Sequence, residues 1–276
     1  RSGDIQELCA IARPDHGLVT NIGEAHVEGF GGMESIIRAK CELYFCVRGN
    51  GGTIFVNGED ALLSRMCKGG ARVVYGGKKG VVRGESLGEF PFLACDLVVG
   101  EERFRARTRL VGEYNLNNVV AAVAVGMHFG VPPAEAARAI EGYEPSNRSQ
   151  WLESEWNTIM LDAYNANPSS MKAAVSHFAG MPGENKLLVL GEMLEMGHRS
   201  ADAHRELLEL VESLGLRHAY AVGAAFEGLE GRFPFVRRFG TTGELAEFLR
   251  EHPVRRSLVL VKGSRGNQLE RVIEYL

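Results

Sequence analysis

Four short apolar runs in the second half of the chain constrain its fold more than any other feature. Thr158–Leu161, Lys186–Leu190, Ala219–Val222 and Leu258–Val261 each give way to a glycine or aspartate within two residues. Most are followed by a segment of helical pattern. Strand and helix alternating in this way predict βαβ units and a mostly parallel sheet of the nucleotide-binding type. Ligands of such sheets bind at the carboxyl ends of the strands. Asp162, Gly191-Glu192, Gly223 and Lys262-Gly263 all fall at those ends.

The first half has a different texture, and the whole reads as α/β. Helices are expected at about 3–12, 33–47 and 60–67, and strands at 16–21, 53–57 and 71–75. The stretch 92–111 alternates as a hairpin turning at Gly100-Glu101. "NLNNVVAAVAVGMHFG" reads as a helix stopped by Gly130, and Pro132-Pro133 opens another. "EGYEPSNRSQ" (141–150) is the expected linker, dividing the chain into domains 1–146 and 147–276. The sequence opens with Arg1, and its first segment looks like a helix with no strand before it. A preceding N-terminal portion is therefore expected.

Composition narrows the classes. A net charge of -4, with no dense Lys/Arg patch, argues against a nucleic-acid partner. No apolar run approaches the roughly 20 residues that span a bilayer, so no membrane insertion is expected. The five cysteines include no CxxC pair and read as free thiols of a cytoplasmic protein.

Several motifs bear chemistry. In "TNIGEAHVEGFGGMESIIRAKCELY", His26 sits in a glycine-flanked turn, as a ligand or as a plain turn residue. Lys40 falls within about 40° of Ile36, Leu43 and Val47 on a helical wheel. A lysine in an apolar stripe either snorkels to the surface or has a depressed pKa. A neutral amine can take up CO2 as a carbamate, an oxygen ligand suited to Mg²⁺. Asn115 and Asn118 open a helix, where amides cap the backbone or read a base edge. Asp162 ends a strand, as ribose-binding carboxylates do. Asn165 and Asn167 follow it in a polar turn, holding a peptide-like ligand or merely turning the chain. "VKGSRG" places Ser264 and Arg265 at an expected helix N-terminus, a seat for a carboxylate or phosphate. G-x-x-x-x-G-K-[ST] is absent, and "GGKKG" (76–80) has the wrong spacing.

"TNIGEAHVEGFGGMESIIRAKCELY", "GEYNLNNVVAAVAV", "LDAYNANPSSMKAA", "LGEMLEMG" and "VLVKGSRG" resemble, in order, the motifs of the Mur ligases. The YNANP and KGSR forms are closest to the branch that adds D-alanyl-D-alanine. The resemblance implies the remnant of a central P-loop-type ATPase domain followed by a Rossmann-like C-terminal domain. It also implies ATP and Mg²⁺ as cofactors, with UDP-MurNAc-tripeptide and D-Ala-D-Ala as substrates of a monomeric amide ligase acting through an acyl phosphate. By the same resemblance His26 and carbamoylated Lys40 bind the metal, and Arg148 reaches the ATP phosphates. Asn115 and Asn118 lie near adenine and Asp162 contacts the ribose. Asn165, Asn167, Ser264 and Arg265 hold the dipeptide. Glu113-Tyr114, Asn147 before Arg148 and Gly191-Glu192-Met193 depart from the family's usual forms. Two alternatives stay open. One is a non-catalytic binding fragment lacking the phosphate loop; the other is a further Mur or folylpolyglutamate-type ligase.

Overall fold

A computed structural model describes residues 3–23, 32–145 and 150–276. The chain divides into two compact units, with the break between Glu144 and Pro145.

In the first unit, α1 (Asp4–Ala12) precedes β1 (His16–Leu18), and α2 (Met33–Gly49) precedes β2 (Thr53–Asn57). Then come α3 (Ala61–Met66) and β3 (Ala71–Tyr75). β1, β2 and β3 pair in that order, all parallel. The α3 helix begins where the Asp60 carboxylate accepts from the Leu62 and Leu63 amides, satisfying donors the helix cannot. A separate antiparallel sheet follows, in the order β4 (Arg83–Ser86), β5 (Phe92–Val99), β6 (Glu102–Val111). The hairpin turns at Gly100-Glu101, as expected, with Gly100 at a φ of 59°. The alanine-rich α4 (Leu116–His128) buries Val119, Val120 and Val123 against β2, β3 and this sheet, and α5 (Pro133–Glu141) closes the unit. The expected linker is shorter than 141–150 at both ends, because Glu141 ends α5 and Gln150 begins a strand.

The second unit is a six-stranded sheet in the order β11-β10-β9-β12-β8-β7. β7 (Gln150–Glu153) is its one antiparallel member, pairing with β8 (Thr158–Asp162). β9 (Lys186–Gly191), β10 (Ala219–Val222), β11 (Val236–Phe239) and β12 (Leu258–Lys262) run parallel to β8. The helices α6 (Pro168–Gly180), α7 (Ser200–Ser213) and α8 (Thr242–Glu251) connect them. Ile159, Val189, Val259 and Val261 are wholly buried, as a sheet covered on both faces requires. Two expectations need correction. β10 is followed by a three-residue 3₁₀ turn and β11 rather than by a helix. "SRG" opens a 3₁₀ turn, Arg265–Asn267, rather than a longer helix.

Candidate functional site

The carboxyl ends of β8, β9 and β12 converge in the second unit. β12 lies between the other two, and Lys262 is the register partner of both Asp162 and Leu190. A Cβ built on Gly263 would stand 2.9 Å from the Gly191 Cα, so only glycine lets the loops leave the sheet side by side. Lys262 is 1% exposed, and its Nζ lies 2.5 Å from Asp162 Oδ2 and 3.4 Å from the Asn165 carbonyl. A buried ammonium is tolerated here because a carboxylate faces it across one strand spacing. The motif places Lys262 at the ligand edge; only the assembled sheet pairs it with Asp162.

Beyond this pair the polar turn after β8 takes shape. Asn167 Oδ1 accepts from the Ser170 amide at 2.9 Å, and Ser170 Oγ accepts from the Asn167 amide at 3.1 Å. This capping box, with Pro168 in the first turn, starts α6. Across from it, Glu192–Met196 leaves β9 in an irregular path, with Glu195 at a φ of 61°. Tyr164–Asn167, Leu194–Met196 and Ser264–Gly266 together line a cleft of about 140 Å³. Asn165, Asn167, Ser264 and Arg265, about 100 residues apart in sequence, thus share one cavity.

The cleft is rich in donors. Ser264 is 6% exposed and its Oγ accepts from the Leu194 amide at 3.0 Å, which leaves its O–H to donate. Arg265 is largely exposed, 3.4 Å from Glu270. Asn167 spends its oxygen on the cap and keeps its NH₂. A carboxylate or a peptide carbonyl is what such a set recognises.

The other candidate residues belong to the first unit or lie outside the described residues, as His26 and Arg148 do. The buried stripe of α2 is Ile36, Ala39, Tyr44 and Val47, and Lys40 lies within its arc at intermediate burial. Desolvation lowers the Lys40 pKa, the condition for a neutral amine. Among the described residues no group of three His, Cys, Asp or Glu side chains could hold a metal. Asn115 does not cap α4. Its NH₂ donates to the Val111 carbonyl at 2.9 Å, and its oxygen accepts from Asn118 at 3.2 Å. The pair forms a linked amide couple on an exposed helix start. All five cysteines are free, as expected.

A six-stranded, mostly parallel sheet with a donor-lined cleft on its carboxyl edge defines a Rossmann-like ligand-binding domain. Residues 1–126 match the Mur ligase middle domain, and residues 147–265 match the Mur ligase glutamate ligase domain. The chain belongs to the Mur ligase family. It is 29% identical over 283 residues to the UDP-N-acetylmuramoyl-tripeptide–D-alanyl-D-alanine ligase of Bacillus subtilis, covering 99% of this chain and 62% of that protein. The structure of MurF from Acinetobacter baumannii superposes with a TM-score of 0.86 at 28% identity, covering 99% of this chain and 62% of that one. MurF ligase from Thermotoga maritima, solved in complex with ADP, has the same fold, with a TM-score of 0.84 at 24% identity and coverage of 100% and 64%. The chain thus spans a little over three fifths of these relatives.

Proposed function

We propose that this chain is part of an ATP-dependent amide ligase of peptidoglycan precursor synthesis that joins D-alanyl-D-alanine to UDP-MurNAc-tripeptide. The observation that carries the reading is the cleft lined by Asn165, Asn167, Ser264 and Arg265. Its size suits a dipeptide, and its donors suit a carboxylate and a peptide carbonyl. The relatives' names supply the reaction class.

In this reading the Arg265 guanidinium and the Ser264 hydroxyl hold the dipeptide carboxylate, and the Asn165 and Asn167 amides orient its peptide group. Holding the amine in place is the larger part of the work, because a positioned nucleophile no longer has to be captured from solution. Bound ATP would supply the phosphoryl group that turns the tripeptide carboxylate into an acyl phosphate, releasing ADP; the dipeptide amine then attacks the acyl carbon, loses a proton and expels phosphate as the amide forms. Asp162 uses its Oδ2 on Lys262, so its ribose contact falls to Oδ1. The Asn115–Asn118 couple reads adenine, and Arg148 meets the phosphates. Lys40, as a carbamate, and His26 would hold Mg²⁺, whose charge would offset that of the transferring phosphoryl group. We place the enzyme in the cytoplasm, as a monomer with these small molecules as its partners. Among the described residues no helix is long and apolar enough to cross a membrane.

The test is calorimetry of this chain with D-Ala-D-Ala, paired with phosphate release by the full-length protein. The expected result is dipeptide binding that Arg265→Ala weakens, and phosphate release that requires the dipeptide. Turnover with glutamate or a diamino acid, and none with the dipeptide, would refute the assignment in favour of another Mur ligase.

A further inference from the structure

Three successive backbone amides leaving β9 are each held by a side chain from another segment. Glu192 N–H donates to Asn267 Oδ1 at 3.0 Å, Met193 N–H to His204 Nε2 at 2.9 Å and Leu194 N–H to Ser264 Oγ at 3.0 Å. The next residue, Glu195, takes the left-handed conformation that a non-glycine residue adopts only when its surroundings impose it. Leu194, Glu195 and Met196 are one wall of the cleft. Ser264 belongs to the cleft itself, whereas His204 lies behind it on α7, wholly buried.

The tautomer of His204 is fixed by its neighbours. Its Nδ1 stands 2.7 Å from the Ser200 carbonyl, an acceptor, so Nδ1 carries the proton. Nε2 must then be bare, because the Met193 amide donates to it. An imidazolium would set a second N–H against that amide. The charged side chain facing the ring is Glu192, which favours protonation, and the Phe226 edge packs at 4.8 Å on another side. Burial outweighs the Ser200 carbonyl and Glu192, which both favour the charged ring, and lowers the His204 pKa.

We propose that His204 is a positioning residue for the cleft, fixing its Leu194–Met196 wall through Met193, and that its protonation releases that wall. The inference rests on the reading of this cleft as the dipeptide seat. It adds a determinant of the site that touches no ligand, and it makes dipeptide affinity fall in acid.

The experiment follows D-Ala-D-Ala binding to the whole chain by calorimetry between pH 7.5 and 5.5, for wild type, His204→Gln and His204→Leu. Glutamine can accept from Met193 without titrating; leucine cannot accept. Stranding the buried amide should weaken binding by at least about tenfold in His204→Leu at pH 7.5. His204→Gln should bind as wild type does at that pH and lose the acid dependence. Equal affinity of wild type and His204→Leu at equal fold content would overturn the proposal, as would an unchanged acid profile in His204→Gln. Amide hydrogen exchange at Met193–Glu195 reads the wall without ligand. It should accelerate in His204→Leu, and unchanged exchange there would overturn the proposal. If wild type binds no dipeptide, the functional reading fails, while the exchange result still decides the role of His204. Should the leucine variant not fold, the pH profile of His204→Gln decides it.

Discussion

Asp162→Ala should be among the most damaging single changes in the second unit, and more damaging than removal of its partner. The two side chains are unequally buried, 2% exposed for Lys262 and 14% for Asp162. Removing the carboxylate leaves an ammonium with only the Asn165 carbonyl, 3.4 Å away. Breaking a buried pair from one side costs about 3–5 kcal/mol, and the carbonyl and slight exposure favour the lower end, about 3 kcal/mol. Lys262→Met instead leaves a carboxylate that can reach water, and its thioether still fills the lysine's channel. That cost should be about 1–2 kcal/mol. The entropy of unfolding, roughly 2.1 cal/mol/K per residue over about 130 residues, converts 3 kcal/mol into a fall in Tm of roughly 11 °C. Guanidinium denaturation at unchanged m-value gives the free energies directly. Asp162→Leu combined with Lys262→Met should recover most of the stability, because charge and countercharge leave together. The reasoning fails if the two single variants cost the same, if Lys262→Met costs more, or if the double variant is as unstable as Asp162→Ala.

Asn157, 5% exposed, donates to the Val254 carbonyl at 2.8 Å and accepts from the Ser257 amide at 3.0 Å. Asn157→Ala should therefore cost about 2–4 kcal/mol in the same denaturation assay, and a cost below about 1 kcal/mol would show that water replaces it. For His204 the folded pKa lies below the unfolded value near 6.5, so below about pH 6.5 the unfolded chain binds a proton that the folded chain refuses. Its contribution to stability is complete above that pH and is lost as pH falls toward the folded pKa, with a slope of up to about 1.4 kcal/mol per pH unit. The stability of His204→Gln should lack that component. Lys40, with its lowered pKa, should give a carbamate carbon resonance in the full-length protein under ¹³C-bicarbonate, absent in Lys40→Ala. An identical spectrum for the two proteins would refute carbamoylation.

In the second unit the strands that can be read in the sequence and those that cannot differ in one physical respect. Those at 158–162, 186–191, 219–222 and 258–262 lie inside the sheet with residues buried on both faces, so each shows an apolar run. β7 and β11 are its two edges and, like β4 at the edge of its own sheet, show no such run; β3 and β6 are edges too, but their apolar or alternating residues mark them. "RGES" and "QWLE" each have three half-buried residues and one exposed, and "VRRF" is apolar only at its ends, so none carries a periodic signal. The β1 strand, also an edge, ends at Leu18 rather than at the expected 21.

The site follows the same division. The convergence of Asp162, Asn165, Asn167, Ser264 and Arg265 is legible because a parallel sheet brings its strand ends to one edge whatever the distance in sequence. The residues that hold the edge in shape are not. Asn267, His204 and Lys262 act through a backbone amide or a carboxylate of a distant segment. His204 stands three, four and seven residues before Leu207, Leu208 and Val211, so the helical period puts it on a buried face, unlike the exposed His198 six residues earlier, but the period does not say what the ring bonds. What separates them is that α7 turns His204 inward onto an amide that β9 has already fixed in space. A ligand-facing residue can be found from the strand it follows, but a residue that positions it is defined by the partner, and the partner is known only once the sheet is assembled.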